Sequence, residues 1–578
     1  MVDGEQLSRR AAGAWLGALV GAALYLRWRG LSYFLPHSTH LDALVIRNQV
    51  EALRAEGSSG QVESVGEWYP YLLARLTALL PDALASLEPL QLEDHLVRAA
   101  TPLLQIRLVS VAGSVLIVLG TYLLARKFTT RVGSLFAAAL LATSTLNISF
   151  AQQERPHALA ASFVVLTVLA AMRLQRRPTL GSCALVGSAA ALAIGALQNG
   201  AAVGFPIAAA VALAIARRDE QRPPFARVVA GGALCIALIA VGVRICYPFH
   251  FAGERAYLSF AEQADGTTFN LSGQTVYLEH FNGSGFAAVI GTLYSYSPHV
   301  LVLCVAALAL SLLERRERAS SSDRRAARKI ALAYVVPYTL VIGLHSLTWE
   351  RYVMPLEPFF AAFAAWGVVR IHARRPRLAV ATAALSLVFA GACAWRLGAV
   401  RAAPDTFTLA ARWIREHARA EVDPIVTLPY IDLPLLYRDE TLASRPALTY
   451  WTRYQLECKP VAHVGSRYDV VLPKDAETAR KEWGDDPLEY LRSTQTRFVV
   501  VQHVSDNFRH KLALRTRRAL AEHAVLRERI SPRTTDSGAH AGLGIRRHRE
   551  TLSRPFVATL FQHARMGPTL EIYELPRP

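Results

Sequence analysis

Apolar stretches long enough to cross a bilayer recur along the first 396 residues, at 11–27, 103–125, 132–151, 156–173, 179–197, 200–216, 228–246, 286–313, 330–346, 354–371 and 378–396. A membrane helix needs about 20 such residues, so the pattern predicts a polytopic bundle of about eleven helices. After residue 396 the pattern changes. Residues 404–417 begin around Asp405 and place Phe407, Ala410, Trp413, Ile414 and His417 at helical spacing, as an Asp-capped amphipathic helix does. Residues 424–428, 468–472, 497–502 and 570–575 read as strands, with helical stretches near 486–492 and 508–523 between some of them. This alternation predicts a small α/β domain. The stretch 531–548, rich in Ser, Thr, Gly, Arg and His, reads as an exposed loop. The chain is therefore expected to be mainly α, with a transmembrane domain over 1–396 and an α/β domain over 397–578.

Two long loops interrupt the bundle, at 28–102 and 247–285. Within the first, residues 41–54 have helical periodicity, and 67–76 turn from Trp68, Tyr69 and Tyr71 into another apolar helix. Both read as helices lying on the membrane, with the aromatic residues at the lipid headgroups. Tyr247, Phe249, His250, Phe251, Tyr257 and Phe260 form a second aromatic group, which fits either an interfacial belt or a sugar or lipid contact. No repeat of fixed period is present.

Composition narrows the class. Soluble domains are about 45–50% apolar with far more charge; this chain is 52% hydrophobic and 19% charged, with a mean hydropathy of +0.24. An ordinary soluble enzyme is excluded. The formal charge of +18 would suit nucleic acid, but its distribution points elsewhere. Basic residues fall in alternate short loops: Arg9 and Arg10; Arg126, Lys127 and Arg131; Arg173, Arg176 and Arg177; Arg217, Arg218, Arg222 and Arg227; Arg324, Arg325, Arg328 and Lys329; Arg374, Arg375 and Arg377. The intervening loops carry almost none, which is the positive-inside asymmetry. It places residues 1–10 in the cytoplasm and, after an odd number of spans, the tail outside. No nucleic-acid partner is expected. The first apolar segment follows Arg9 and Arg10 but lacks a small-x-small cleavage site, so it is read as a span rather than a secretory signal. Cys183, Cys235, Cys304 and Cys393 lie in spans, Cys246 ends one and Cys458 is in the tail, a spacing with neither a disulfide framework nor a metal motif.

On this topology three polar clusters share the outer face: His40 and Asp42; Gln152 to His157, which includes Glu154 and Arg155; and Trp349 to Tyr352, which includes Glu350 and Arg351. A carboxylate at a bundle mouth is unfavourable unless it faces water or a polar cleft, which makes Asp42 a functional candidate. Together the clusters offer a base, a second carboxylate and two guanidinium groups. Arginine forks match phosphate oxygens and stay charged, so the set suits a donor whose leaving group is a phosphate. A phosphate leaves without protonation, and one carboxylate then suffices to deprotonate an acceptor hydroxyl. Structural roles compete at each position. Asp42 is also placed to cap the helix that follows it, Glu154 and Arg155 to pair within their loop, Arg351 to reach lipid headgroups, and His40 to hydrogen-bond locally.

These residues carry a resemblance. Ala-Gln-Gln-Glu-Arg-Pro-His-Ala-Leu at 151–159 resembles the Ser-Gln-Glu-Ala-Arg-Pro-Tyr-Ala-Leu-type signature of polytopic glycosyltransferases of the GT-C fold, which include protein mannosyltransferases and aminoarabinose transferases. Residues 350–360 resemble their Arg-Tyr-Leu-Leu-Pro-Leu-Leu-Pro-Phe segment, and 405–414 and 567–575 resemble the tail of many bacterial members. The resemblance implies a bacterial inner-membrane enzyme that moves a sugar from a polyprenyl-phosphate donor to an extracytoplasmic acceptor, whether glycan, lipid or protein. It assigns Asp42 as general base and Arg155 and Arg351 to the donor phosphate, with His40, Glu154, His157 and Glu350 in support. The chain departs from the pattern at Ala43, where many relatives have a second carboxylate, and at His157, where tyrosine is commoner. The first departure weakens a divalent metal as cofactor. A transporter or lipid flippase is the alternative from another class; it predicts ionisable residues near span centres and paired broken helices. A non-catalytic anchor for a binding domain leaves the many spans and polar outer loops without a purpose.

Overall fold

The computed structural model describes residues 7–39, 42–55, 71–82, 94–216, 224–247, 268–271, 274–313, 322–428, 432–443, 450–457, 467–471, 486–503, 511–535 and 555–576. The chain opens with α1 (Arg9–Trp28), followed by α2 (Asp42–Ala55), α3 (Leu72–Ala78) and α4 (Asp94–Ala125). Next come α5 (Arg131–Ala142), α6 (Thr145–Ala151), α7 (His157–Arg176), α8 (Leu180–Ala196), α9 (Gly204–Ile215) and α10 (Phe225–Cys246). A hairpin of β1 (Thr268–Leu271) and β2 (Gln274–Tyr277) precedes α11 (Gly285–Tyr296), α12 (Pro298–Leu313), α13 (Ser322–Leu344), a 3₁₀ turn (Glu350–Leu356), α14 (Glu357–Arg374) and α15 (Pro376–Ala402).

Each predicted apolar stretch is helical in whole or nearly so. Seven described helices are long and apolar enough to cross a membrane, and nine when two bent pairs each count as one span. The protein is thus a multi-pass membrane protein built on a helix bundle. Several helices start on side-chain caps: Thr130 accepts from the Gly133 N–H (3.2 Å), Ser144 from Asn147 (3.1 Å) and Thr179 from Ser182 (3.2 Å). The Ser144 cap also explains the 53° bend between α5 and α6, because its hydroxyl donates to Glu357 (2.6 Å) and starts a new helix in a new direction.

The span predicted over 286–313 needs correcting. It is two helices meeting at 117°. Ser297 precedes Pro298 and has left the helical region (φ −144°, ψ 55°), as proline's ring demands of the residue before it. At its start α11 packs so closely on the end of α13 that a Cβ on Gly285 would lie 2.1 Å from the Ile342 carbonyl oxygen. At its end the Tyr296 carbonyl accepts from the Thr145 hydroxyl (2.7 Å). The predicted span is therefore broken at Ser297–Pro298, with α11 held between the end of α13 and the start of α6. At the opposite end of the bundle, Arg131 donates to the Leu7 carbonyl (2.8 Å) and Arg176 pairs with Asp323 (3.4 Å), which joins the basic loops in pairs.

The tail contains α16 (Thr406–His417), β3 (Ile425–Leu428), β4 (Leu436–Tyr437), α17 (Asp439–Ala443), α18 (Tyr450–Glu457), β5 (Arg467–Tyr468), β6 (Val470–Val471), α19 (Pro487–Ser493), β7 (Phe498–Gln502), α20 (Lys511–His523), β8 (Val525–Ile530), α21 (Phe556–Leu560) and β9 (Leu570–Glu574). Its main sheet runs β6-β3-β7-β9-β8, parallel at β6-β3-β7 and antiparallel at β7-β9-β8. Asp405 caps α16 by accepting from Thr408 (2.9 Å), and Trp413 packs edge-on against Phe498 (5.5 Å). The α/β expectation holds; β8 is a further strand. Of the predicted loop 531–548, all beyond 535 lies outside the described residues, as do Trp68, Tyr69 and the aromatic loop residues from Phe249 to Phe260.

The tail is not an appendage on a tether. Leu31, Leu35, Ala43, Leu103 and Leu104 of the bundle share one buried core with Ala410, Ile414, Trp451 and Ile572 of the tail. Phe556 stacks on Tyr296 (4.6 Å), and its N–H donates to the Ser295 hydroxyl (2.7 Å).

Candidate functional site

The site lies at the bundle end that faces the tail, where the loop between α6 and α7 meets the turn before α14. Arg155 sits on that loop with 0% side-chain exposure. Its backbone is pinned: the amide donates to Gln153 O (2.8 Å) and the carbonyl accepts from the Ser110 hydroxyl (2.9 Å). Its guanidinium is not. Among the described residues none hydrogen-bonds Nε, Nη1 or Nη2. Burial disfavours the charge on Arg155, Arg351 beside it disfavours it further, and Tyr352, Tyr33 and Glu350 offset this only in part. A guanidinium does not escape by losing its proton in a working pH range. A buried, unpaired cation of this kind calls for an anion.

Arg351 lies on the 3₁₀ turn with its guanidinium over the rings of Trp349 (5.2 Å) and Tyr352 (5.1 Å), half-buried and close to Arg155. Glu350, also buried, acts on Arg155 by its negative charge. His157 opens α7 with its ring between Phe150 (6.3 Å) and Tyr352 (6.2 Å). The start of α7 carries no side-chain cap, which leaves its first amides without a side-chain acceptor at the helix end.

Glu154 has a different setting from its neighbour. Its carboxylate, 0% exposed, accepts from Arg107 Nε (2.7 Å) and from the Thr39 amide (3.1 Å) and hydroxyl. Arg107, equally buried, also donates to the carbonyls of Leu31 and Tyr33. A carboxylate held on both oxygens is a clamp rather than a free base. The expected loop pair of Glu154 with Arg155 does not form; Glu154 pairs across to α4. The clamp fastens the segment after α1 to the site. Asp42 begins α2 three residues after Thr39, a reach of at most about 11 Å of chain. The Asp42 side chain and all of His40 lie outside the described residues.

Arg107, Arg401, Thr39 and Tyr33 were not among the residues singled out from the sequence. Arg401 donates to Gln152, whose amide donates to Arg27 O (2.7 Å) and Arg29 O (2.9 Å), and the Tyr33 ring lies between the guanidiniums of Arg401 (4.3 Å) and Arg107 (4.8 Å). Below them Arg27 donates to Ala142 O (2.9 Å) and Asn147 (2.8 Å). The signal for all three arginines was available, since an ionisable residue in an apolar helix faces a partner inside the bundle. At the tail interface, His37 lies 6.0 Å from the Phe407 ring; burial pushes its imidazole down, against the pull of Asp432 and Asp405. Among the described residues, no three His, Cys, Asp or Glu side chains gather as metal ligands.

The chain is thus a helix bundle with an α/β tail, and buried arginines line the polar end where the two meet. Residues 99–245 match the model of the dolichyl-phosphate-mannose-protein mannosyltransferase family, which bears out the resemblance to that class over this stretch. Among curated proteins none matches the chain. Among solved structures, the oligosaccharyltransferase AglB of Archaeoglobus fulgidus, in complex with an inhibitory peptide and a dolichol-phosphate, is similar at 11% identity and a TM-score of 0.48, over 85% of this chain and 69% of that one. ArnT of Cupriavidus metallidurans, bound to undecaprenyl phosphate, is similar at 13% identity and a TM-score of 0.45, over 97% and 98%. The arabinosyltransferase EmbB of Mycobacterium smegmatis is similar at 16% identity and a TM-score of 0.38, over 64% and 32%.

Proposed function

We propose that the protein transfers a sugar from a polyprenyl-phosphate donor to an acceptor hydroxyl outside the cytoplasm of a bacterial cell. The observation that carries this reading is the buried Arg155 guanidinium, whose three nitrogens have no hydrogen-bond partner among the described residues, beside Arg351. Two neighbouring arginines suit a lipid phosphate diester, while the many exposed apolar residues of α10, α12, α13 and α15 leave the prenyl chain a bilayer route to it. Arg155 and Arg351 hold the phosphate. Glu350 balances their charge, and Glu154, with Arg107 and Thr39, holds the loop that leads to Asp42. Asp42 takes the acceptor proton while the acceptor oxygen bonds to the anomeric carbon, and polyprenyl phosphate leaves with the electrons of the broken C–O bond.

The sidedness belongs to the same proposal. The basic loops joined at the far end of the bundle support a cytoplasmic N-terminus there, and the tail and polar mouth then face outward across the inner membrane. The test is release of polyprenyl phosphate from polyprenyl-phosphate mannose by the purified protein supplied with bacterial envelope fractions as acceptor. The wild type releases it, and Asp42→Asn slows release by about 100-fold or more, the range for loss of a general base. An Asp42→Asn protein that folds and turns over at the wild-type rate contradicts the assignment. Movement of intact donor lipid across proteoliposomes without release would instead favour a flippase.

A further inference from the structure

His157 is the group at this mouth whose chemistry the proposed reaction has not used. It is 4% exposed, and among the described residues nothing hydrogen-bonds its Nδ1. The rings of Phe150 and Tyr352 flank it and fix its plane. A buried orphan nitrogen is unfavourable, and it persists here beside a second orphan, the Arg155 guanidinium two residues away. Both side chains adjoin the uncapped start of α7, a 20-residue helix whose first amides and dipole favour an anion. Arg155 and Arg351 both act electrostatically on His157, so the imidazole and the two guanidiniums are neighbours at the start of α7.

We infer that His157 is a further ligand of the donor phosphate and that it acts chiefly on the leaving group. This rests on the donor reading above. In the reaction the bond from the anomeric carbon to the phosphate oxygen breaks as the acceptor oxygen bonds to that carbon; the proton goes to Asp42 and the electron pair stays with the phosphate. A diester with one negative charge becomes a monoester with two. The arginines bind both species by charge. An imidazole N–H aimed at the oxygen that gains charge binds the second more strongly, which is where a donor accelerates a reaction. The resembling signature has tyrosine at this place, another aromatic residue with one donor.

The experiment compares binding of two probes to the purified full-length protein at pH 8: undecaprenyl phosphate, a dianion there, and undecaprenyl-phosphate mannose, a monoanion. For His157→Phe the expected result is about tenfold weaker binding of undecaprenyl phosphate, equivalent to one hydrogen bond to a charged group, and a change of about threefold or less for the mannose diester. His157→Tyr restores undecaprenyl phosphate binding to within about threefold of wild type, because it returns a donor to the same ring. Equal losses for both probes, or a His157→Tyr as weak as His157→Phe, overturn the assignment and leave His157 a packing residue. Should His157→Phe fail to fold, His157→Gln against His157→Leu makes the same donor comparison. A wild type that binds neither probe defeats the donor reading itself; a wild type that binds both, with His157→Phe unchanged, defeats only the inference about His157.

Discussion

At the scale of single residues, two neighbours on one loop have opposite fates. Glu154 is satisfied from two sides by Arg107 and Thr39, whereas Arg155 next to it has no side-chain hydrogen bond among the described residues. A structural ion pair closes on itself; a binding cation stays open. Arg107→Met leaves the Glu154 charge buried without its cation, and it is expected to destabilise the protein by about 3–5 kcal/mol. Adding Glu154→Gln removes the stranded charge and recovers part of that loss. Thermal unfolding of the full-length protein in detergent measures both, and a Tm unchanged in Arg107→Met would contradict the clamp. Arg155, Arg351 and His157 were legible because they stand in short polar motifs at span ends. Arg107, Arg27 and Arg401 left a weaker signal, an ionisable residue in an apolar run, and the carbonyls and carboxylate that they meet come together only on folding. Asp42 is placed by its helix, and its role as base remains the proposal.

At the scale of elements, pattern predicted helices and strands well wherever periodicity was unbroken, and failed where a local constraint redirected the chain. Pro298 forces Ser297 out of the helix and turns one predicted span into two helices. Strand β8 escaped notice because its Val-Leu-Arg-Glu-Arg-Ile sequence is mostly exposed and has no apolar alternation; its pairing with β9 defines it. The arginines of this edge have a purpose. Arg517 (2.6 Å) and Arg529 (2.8 Å) both pair with Glu571, which is fully buried on β9. Burial alone would push the Glu571 carboxyl up, but hydrogen bonds from His503 and Arg517 and their charges outweigh it and hold the group well below the usual carboxylate range. A depressed folded value contributes stability above the unfolded carboxylate value of about 4.3, and that contribution fades as pH falls below it. The wild type should therefore lose Tm steeply between about pH 4.5 and 3, while Glu571→Gln should start lower at pH 7 and show a shallower acid limb. Parallel acid limbs would remove Glu571 from the account.

At the scale of the whole molecule, the two predicted domains share one core, which hydropathy along a sequence does not reveal. Gly30 illustrates how tight that junction is: its φ of +76° suits glycine, and a Cβ there would lie 2.9 Å from the Ala402 amide nitrogen at the end of α15. The bundle, the first long loop and the tail thus meet around the polar mouth, and one packing arrangement holds all three. Hydropathy along the chain made the membrane bundle and the α/β tail legible; the joining of parts came from buried contacts between segments hundreds of residues apart. Everything proposed for the site depends on whether its open guanidinium is there for a lipid phosphate. The direct measurement is equilibrium binding of undecaprenyl phosphate to purified wild type and Arg155→Ala, with Tm as the control for folding. The account predicts saturable binding by the wild type and a loss of about 100-fold or more in Arg155→Ala at similar Tm, since two or more charge-assisted hydrogen bonds disappear. Equal affinity in the two proteins would contradict it.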